Sequence, residues 1–270
     1  MTVDAKKLVE LAASAAREAG ALARERRQAV DRMAVAATKS TPTDVVTESD
    51  TAAEQLIRDR ILSVRPGDAV HGEEGGHVDG KSGVVWVVDP IDGTVNYLYG
   101  IPQYAVSIAA QVDGVVEAGV VHNPASGETW TAIRGGGALL DGEPIGVTAC
   151  ADLSLALVGT GFGYDARRRA RQAAILADLV PAVRDIRRAG AAALDLCAVA
   201  SGRLDAYYER GLQPWDLAAG ALVAAEAGAV VSGLHGVEAG AELVMAAAPG
   251  IAEELRGLLE RLGADRDTAD

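Results

Sequence analysis

The chain has 270 residues, with 38 acidic against 25 basic side chains, a net charge of −13 and 49% hydrophobic residues. Those proportions belong to a globular protein able to bury a core, and they exclude disordered, collagenous and disulfide-dense chains. The negative field excludes unspecific attraction to nucleic acid or to an anionic membrane as a main activity. Two cysteines, Cys150 and Cys197, are too few for a disulfide framework, and His71, His77, His122 and His235 lack metal-ligand spacing. No apolar run approaches the ~18 residues that span a bilayer, and Met1–Glu10 has no signal-peptide pattern. A cytoplasmic protein is expected.

In chain order, Leu8, Leu11, Ala15, Ala19, Leu22 and Ala23 recur at helical steps and predict an amphipathic helix from Asp4 to Val30. Arg24, Arg26 and Arg27 sit toward its C-terminal end, where cations suit the dipole. Lys39–Asp44 reads as a loop or short hairpin arm. A second helix is expected over Asp50–Val64, capped by Thr47 or Ser49 and stopped by Pro66-Gly67. Short strand Ala69–His71 follows, and Val84–Val88 is an apolar β-rich run of the kind buried on both faces. Tyr104–Val112 and Val115–Val121 flank Asp113-Gly114, a two-residue hairpin signal repeated at Asp141-Gly142 inside Leu139–Ile145, after strand Thr129–Ile133.

The second half alternates. Strands are expected at Leu155–Val158, Val183–Arg187, Asp205–Tyr208, Ala229–Ser232 and Glu242–Ala246. Helices are expected at Ala166–Leu179, Ala191–Ala200, Asp216–Ala227 and Ile251–Leu262, with Gly263–Asp270 as a frayed tail. A mixed early sheet followed by βα alternation predicts a layered α/β enzyme of two intimately packed halves, residues 1–147 and 148–270.

The most informative stretch is Val87-Val88-Asp89-Pro90-Ile91-Asp92-Gly93-Thr94. A buried strand delivers Asp89 at its C-terminal end, where open α/β sheets place ligands. Pro90 keeps Asp89 extended and predicts an immediate turn that brings Asp92 beside it. Gly93-Thr94 then opens a helix whose free N–H groups suit phosphate. Two close carboxylates repel unless cations bridge them, and carboxylate oxygens without His or Cys select hard ions, Mg²⁺ in particular. Gly72-Glu73-Glu74-Gly75-Gly76 and Pro214-Trp215-Asp216 add acids on other loop ends, and four such acids together match a two-metal phosphoryl-transfer site.

Gly72-Glu73-Glu74, Asp89–Thr94 and Pro214-Trp215-Asp216-Leu217-Ala218-Ala219-Gly220 resemble the signature motifs of the inositol monophosphatase family. Lys39–Asp50, Gly119–Pro124 and Ala206–Glu209 match in order, so the resemblance runs from about Val9 to Met245. It implies an α-β-α-β-α sandwich and a lithium-sensitive, Mg²⁺-dependent phosphatase that is usually a homodimer. Glu73, Asp89 and the Ile91 carbonyl would hold one metal; Asp89, Asp92 and Asp216 a second; Glu73 would reach a third. Gly93 and Thr94 would donate N–H groups to phosphate. Asp50 would bond Thr94, whose hydroxyl helps orient a metal-activated water for in-line attack. Lys39 would lie on an arm over the metals. Glu209 would accept from substrate hydroxyls, and Gly190-Ala191-Ala192 would line the sugar pocket. Ala191 stands where family members often carry Ser or Thr, so one substrate contact is expected to be absent.

The implied substrate is a small polyol phosphate, myo-inositol 1-phosphate first, with histidinol phosphate and fructose 1,6-bisphosphate as alternatives. Adenosine bisphosphates fit poorly, given so few basic and aromatic residues. Catalysis through an aspartyl-phosphate is disfavoured, since Asp89 and Asp92 lack the Asp-x-Asp spacing. A regulatory metal-binding protein is the non-enzymatic alternative. Gly159–Tyr164 is not a dinucleotide loop, because position 164 is Tyr. Arg167-Arg168-Arg169, Arg171 and Arg187-Arg188 read as a solvated helix face and a strand end, in preference to contacts with a substrate anion or a dimer partner. Both cysteines read as buried small apolar residues.

Overall fold

The computed structural model describes residues 4–27, 37–38 and 45–267. Helix α1 (Ala5–Arg27) buries Leu8, Leu11, Ala15 and Ala19, the stripe its periodicity implies. Strands β1 (Ala37–Thr38) and β2 (Val45–Val46) pair antiparallel on either side of Lys39–Asp44, which lies outside the described residues. Helix α2 (Glu48–Val64) begins two residues earlier than expected because Thr47 and Asp50 form a reciprocal capping box. Asp50 Oδ2 accepts from the Thr47 N–H at 2.8 Å, so the cap fixes a carboxylate that has no solvent exposure.

Strand β3 (Ala69–Gly72) runs parallel to β4 (Val84–Asp92), which is followed by the short helix α3 (Thr94–Tyr99). Strands β5 (Ala105–Val112), β6 (Val115–His122), β7 (Thr129–Ile133), β8 (Gly137–Leu140) and β9 (Glu143–Pro144) complete an antiparallel meander. The whole sheet has seven strands in the order β3-β4-β5-β6-β7-β8-β9. Both Asp-Gly turns adopt positive φ at each residue, 51° and 86° at Asp113-Gly114 and 49° and 89° at Asp141-Gly142. That is the turn whose twist matches paired strands.

The rest of the chain holds β10 (Leu157–Thr160), α4 (Ala166–Leu179), β11 (Asp185–Arg187), α5 (Ala192–Ala200), β12 (Ala206–Glu209), α6 (Pro214–Glu226), β13 (Val230–Ser232), β14 (Val244–Ala247) and α7 (Ala252–Arg261). Its five strands order as β11-β10-β12-β14-β13, with β10 parallel to both neighbours and β14 antiparallel to both of its own. Four apolar interfaces stack the layers. Helices α1 and α2 cover one face of the first sheet, and α5 and α6 cover the other. The same two helices then cover one face of the second sheet, with α4 and α7 outside it. The result is the α-β-α-β-α sandwich. Among the described residues no helix is long and apolar enough to cross a membrane.

Close approach of layers fixes where α6 lies. A Cβ on Gly119 in β6 would meet the Ala219 carbonyl oxygen at 3.0 Å and its Cα at 3.1 Å. Gly119→Ala is expected to destabilise the protein by about 1–3 kcal/mol through overpacking against backbone, read as a lower Tm.

The tail is not frayed as far as Asp267. Arg171 donates to the Leu262 and Gly263 carbonyls, Ala264 is buried, and Asp267 pairs with Arg168 and Arg210. Composition alone gave no hint of these distant partners. Cys197 is fully buried as expected, whereas Cys150 is only partly so.

Candidate active site

Strand β4 does not turn after Asp89 as Pro90 suggested. It continues to Asp92, because pairing with β5 resumes there. Asp89 lies opposite Ser107 and Asp92 opposite Ala105, so the β4 side carries one extra residue between them. In a regular strand, positions three apart face opposite ways. The bulge restores the alternation and turns both carboxylates to one side. Pro90, which cannot donate to the ladder, sits at this irregularity, and the Asp89 carboxylate accepts from the Ile91 N–H at 3.0 Å.

Asp89, Asp92 and Asp216 bring carboxylate oxygens within 4.8 Å of one another. Asp216 comes from the first turn of α6, where its Oδ2 accepts from the Gln213 N–H at 2.6 Å. Helix α6 begins at Pro214, so Asp216 lies inside the first turn rather than at the N-cap. Asp92 accepts from the Ala192 and Ala193 N–H groups at 3.2 and 2.8 Å, tying β4 to the start of α5. Burial pushes the Asp89 and Asp92 carboxyls well above the usual carboxylate range, and the neighbouring acids push them further. Burial raises Asp216 to about 7. Glu73 is among the charges acting on Asp89 and Asp216. Clustered carboxylates of this kind, without nitrogen or sulfur donors, fit a hard divalent cation.

Glu73 is held by a residue that the sequence reading passed over. Buried Glu54 of α2 accepts from the Glu74 N–H at 2.7 Å and the Gly76 N–H at 2.9 Å. A Cβ on Gly72 or Gly76 would collide with that carboxylate, so the glycines of this loop serve its anchoring.

Gly93 has φ 89°, and a Cβ there would meet the Gln103 carbonyl oxygen at 3.0 Å and the Gly190 carbonyl oxygen at 3.2 Å. Only glycine fits both the left-handed backbone and the approach of the Gly190 loop. Thr94 opens α3, and its Oγ1 lies 3.1 Å from both Asp50 Oδ1 and the Ile91 carbonyl oxygen, either of which can accept its proton.

The opposite wall comes from the second sheet. Glu209 ends β12 and accepts from the Tyr207 hydroxyl. Burial raises its carboxyl, while Tyr207 and the Arg188 charge draw it back down. Gly161 leaves the space that this carboxylate fills, which explains one glycine in Gly159–Tyr164. Asp195 stands behind the wall at 2% exposure; its Oδ2 has no hydrogen-bond partner among the described residues. Burial first and the Glu209 charge second raise it to about 8, and the Gly190 N–H donates to its carboxyl. A lone acid on the apolar run Ala191–Leu196 was the available signal.

Glu73, Asp89, Ile91, Asp92, Gly93, Thr94, Gly190, Ala192, Glu209 and Asp216 line one cleft of about 620 Å³. Asp50 sits behind Thr94 rather than in the cleft, Ala191 is buried, and Lys39 lies outside the described residues. Arg168 and Arg188 also line the cleft, with Arg188 5.9 Å from the Phe162 ring centroid. The reading of all these arginines as solvated surface is therefore corrected: helix pitch and strand pairing alone do not reveal which cations a cleft collects.

The model of the inositol monophosphatase family matches residues 4–269. The inositol-1-monophosphatase of Mycobacterium leprae (strain TN) is 56% identical over 234 residues, covering 83% of this chain and 80% of that protein. A solved structure of Mycobacterium tuberculosis SuhB superposes with a TM-score of 0.84 at 49% identity, covering 98% of this chain and all of that one. The Nus factor SuhB of Escherichia coli (strain K12) is 41% identical over 231 residues, 85% of this chain and 86% of its own. With its acidic cleft, its layered sandwich and these relatives, the chain belongs to the inositol monophosphatase family of metal-dependent phosphatases.

Proposed function

We propose that this enzyme hydrolyses myo-inositol 1-phosphate to inositol and phosphate using Mg²⁺, two or three ions per subunit. The convergence of Asp89, Asp92 and Asp216 carries the reading. Asp89, Asp92, Asp216, Glu73 and the Ile91 carbonyl would hold the ions. A divalent cation bound there supplies charge neutralisation and a more acidic water for attack on phosphorus.

The chain's own groups divide the remaining work. The Gly93 and Thr94 N–H groups open a helix and receive phosphate oxygens. Asp50 Oδ1 takes the Thr94 hydroxyl proton, which leaves an Oγ1 lone pair to accept from the attacking water. Glu209, fixed by Tyr207, accepts from substrate hydroxyls, while Gly190 and Ala192 keep the wall low enough for a six-membered ring. A neutral polyol suits this wall, and the relatives named inositol-1-monophosphatase support the choice. Lys39 would close the cleft from its arm, and the chain would act as a homodimer inhibited by lithium. The intact acid set favours turnover over a purely regulatory role, whatever part the Escherichia coli relative's name implies for that protein.

The test is kcat/KM on inositol 1-phosphate, histidinol phosphate and fructose 1,6-bisphosphate, with Mg²⁺ and with chelator. Inositol 1-phosphate is expected to lead, and chelator to abolish every rate. Absence of turnover on the whole panel with Mg²⁺ would end the proposal.

A further inference from the structure

The distal end of the cleft carries a feature that a one-phosphate substrate does not use. Arg168 of α4 and Arg210, next to β12, both line the cleft, and both grip the same carboxylate. Asp267 Oδ1 accepts from Arg168 Nε at 2.9 Å and Arg210 Nε at 3.0 Å. Its Oδ2 accepts from the Nη2 groups at 3.3 and 3.1 Å. Two guanidinium forks around one carboxylate form the geometry that binds a phosphoryl group equally well.

The arginines are held without Asp267. Arg210 Nη1 donates to the Glu242 carbonyl at 2.9 Å. Arg168 packs across Gly163 and Gly211, where a Cβ would collide with its side chain. The tail is tied down only as far as Ala264, which is buried and donates its N–H to the Leu259 carbonyl at 3.0 Å. Asp267 itself is 45% exposed on its side chain, and exposed ion pairs are weak enough to exchange.

We propose that Arg168 and Arg210 form a second anion subsite for substrates bearing a further phosphoryl group, and that Asp267 occupies it as an internal competitor. The substrate's distal phosphoryl displaces the carboxylate while the reacting ester sits at the acid cluster. The inference rests on the phosphatase reading for the position of the reacting end. No bond changes at the subsite; one anion replaces another.

The test compares myo-inositol 1-phosphate with myo-inositol 1,4-bisphosphate, which differ by one phosphoryl group. Asp267→Asn is expected to lower the bisphosphate KM, or its Ki against the monophosphate, roughly tenfold, the size of one charge-assisted contact. Monophosphate turnover should be unchanged. Adding Arg210→Gln to Asp267→Asn should remove the gain, a selectivity that a merely structural ion pair would not produce. Equal changes for both ligands, or none, would overturn the subsite. Loss of monophosphate turnover in the unsubstituted enzyme would instead count against the phosphatase reading. Thermal stabilisation by the two ligands, which needs no turnover, would then still decide the subsite by the same tenfold difference.

Discussion

Asp216→Asn is expected to lower kcat by about 10³-fold or more, equivalent to roughly 4 kcal/mol of transition-state stabilisation. The substitution keeps the shape of the side chain. An Asn Oδ1 can still accept from the Gln213 N–H, so the first turn of α6 stays capped. What goes is one negative charge from a cluster whose oxygens lie within 4.8 Å of one another. The metal-free variant should therefore be no less stable than the parent. Asp216 is raised from its ordinary value to about 7. A carboxyl raised on folding costs stability once pH passes its unfolded value, and the cost grows until pH reaches the folded one. The variant's advantage in Tm without metal should be absent near pH 4 and fully developed above pH 7. Retention of near-parent turnover would remove Asp216 from the site.

The same electrostatics explains how the cleft is built. Each acid is brought in by a contact that would hold with any charge state: a bulge for Asp89 and Asp92, a helix turn for Asp216, and Glu54 for the Glu73 loop. Backbone N–H groups from α5 meet Asp92, and one from Gln213 meets Asp216. These donors reduce repulsion without cancelling it. The framework holds the carboxylates closer than they would choose, and that tension is available to a cation.

Local signals carried the reading where the chemistry was local. Asp89-Pro90-Ile91-Asp92-Gly93-Thr94 and the Asp113-Gly114 turn are short-range patterns whose backbone consequences follow from the residues themselves. The helices and most strands were readable for the same reason, since periodicity records which face is buried. Pro90 misled because cross-strand pairing with Ala105 outweighed a local turn preference. Glu54, Asp195 and Arg168 carry no local mark. Glu54 matters through a loop twenty residues on, and Arg168 through a carboxylate ninety-nine residues on. Only the stacking of two sheets through α5 and α6 creates those meetings.

Adding millimolar Mg²⁺ to metal-free protein is expected to raise Tm by about 5–10 °C. A ligand at a hundred times its Kd contributes about 2.7 kcal/mol, and each kcal/mol moves a domain of this size by roughly 2–4 °C. The size of the shift should depend on pH in a direction set by the acids. Asp89, Asp92 and Asp216 hold protons more tightly than ordinary carboxyls because they are buried beside one another. A cation requires their charged forms, so uptake must expel those protons. Affinity, and with it the Tm gain, should rise from pH 5.5 to pH 8 and then level off. Calorimetric titration in buffers of different ionisation enthalpy should find protons released near pH 6.5 and fewer above pH 8. Asp216→Asn should shrink both the Tm gain and the proton count. A Tm that ignores divalent cations at every pH would mean that the three carboxylates converge for some purpose other than holding metal.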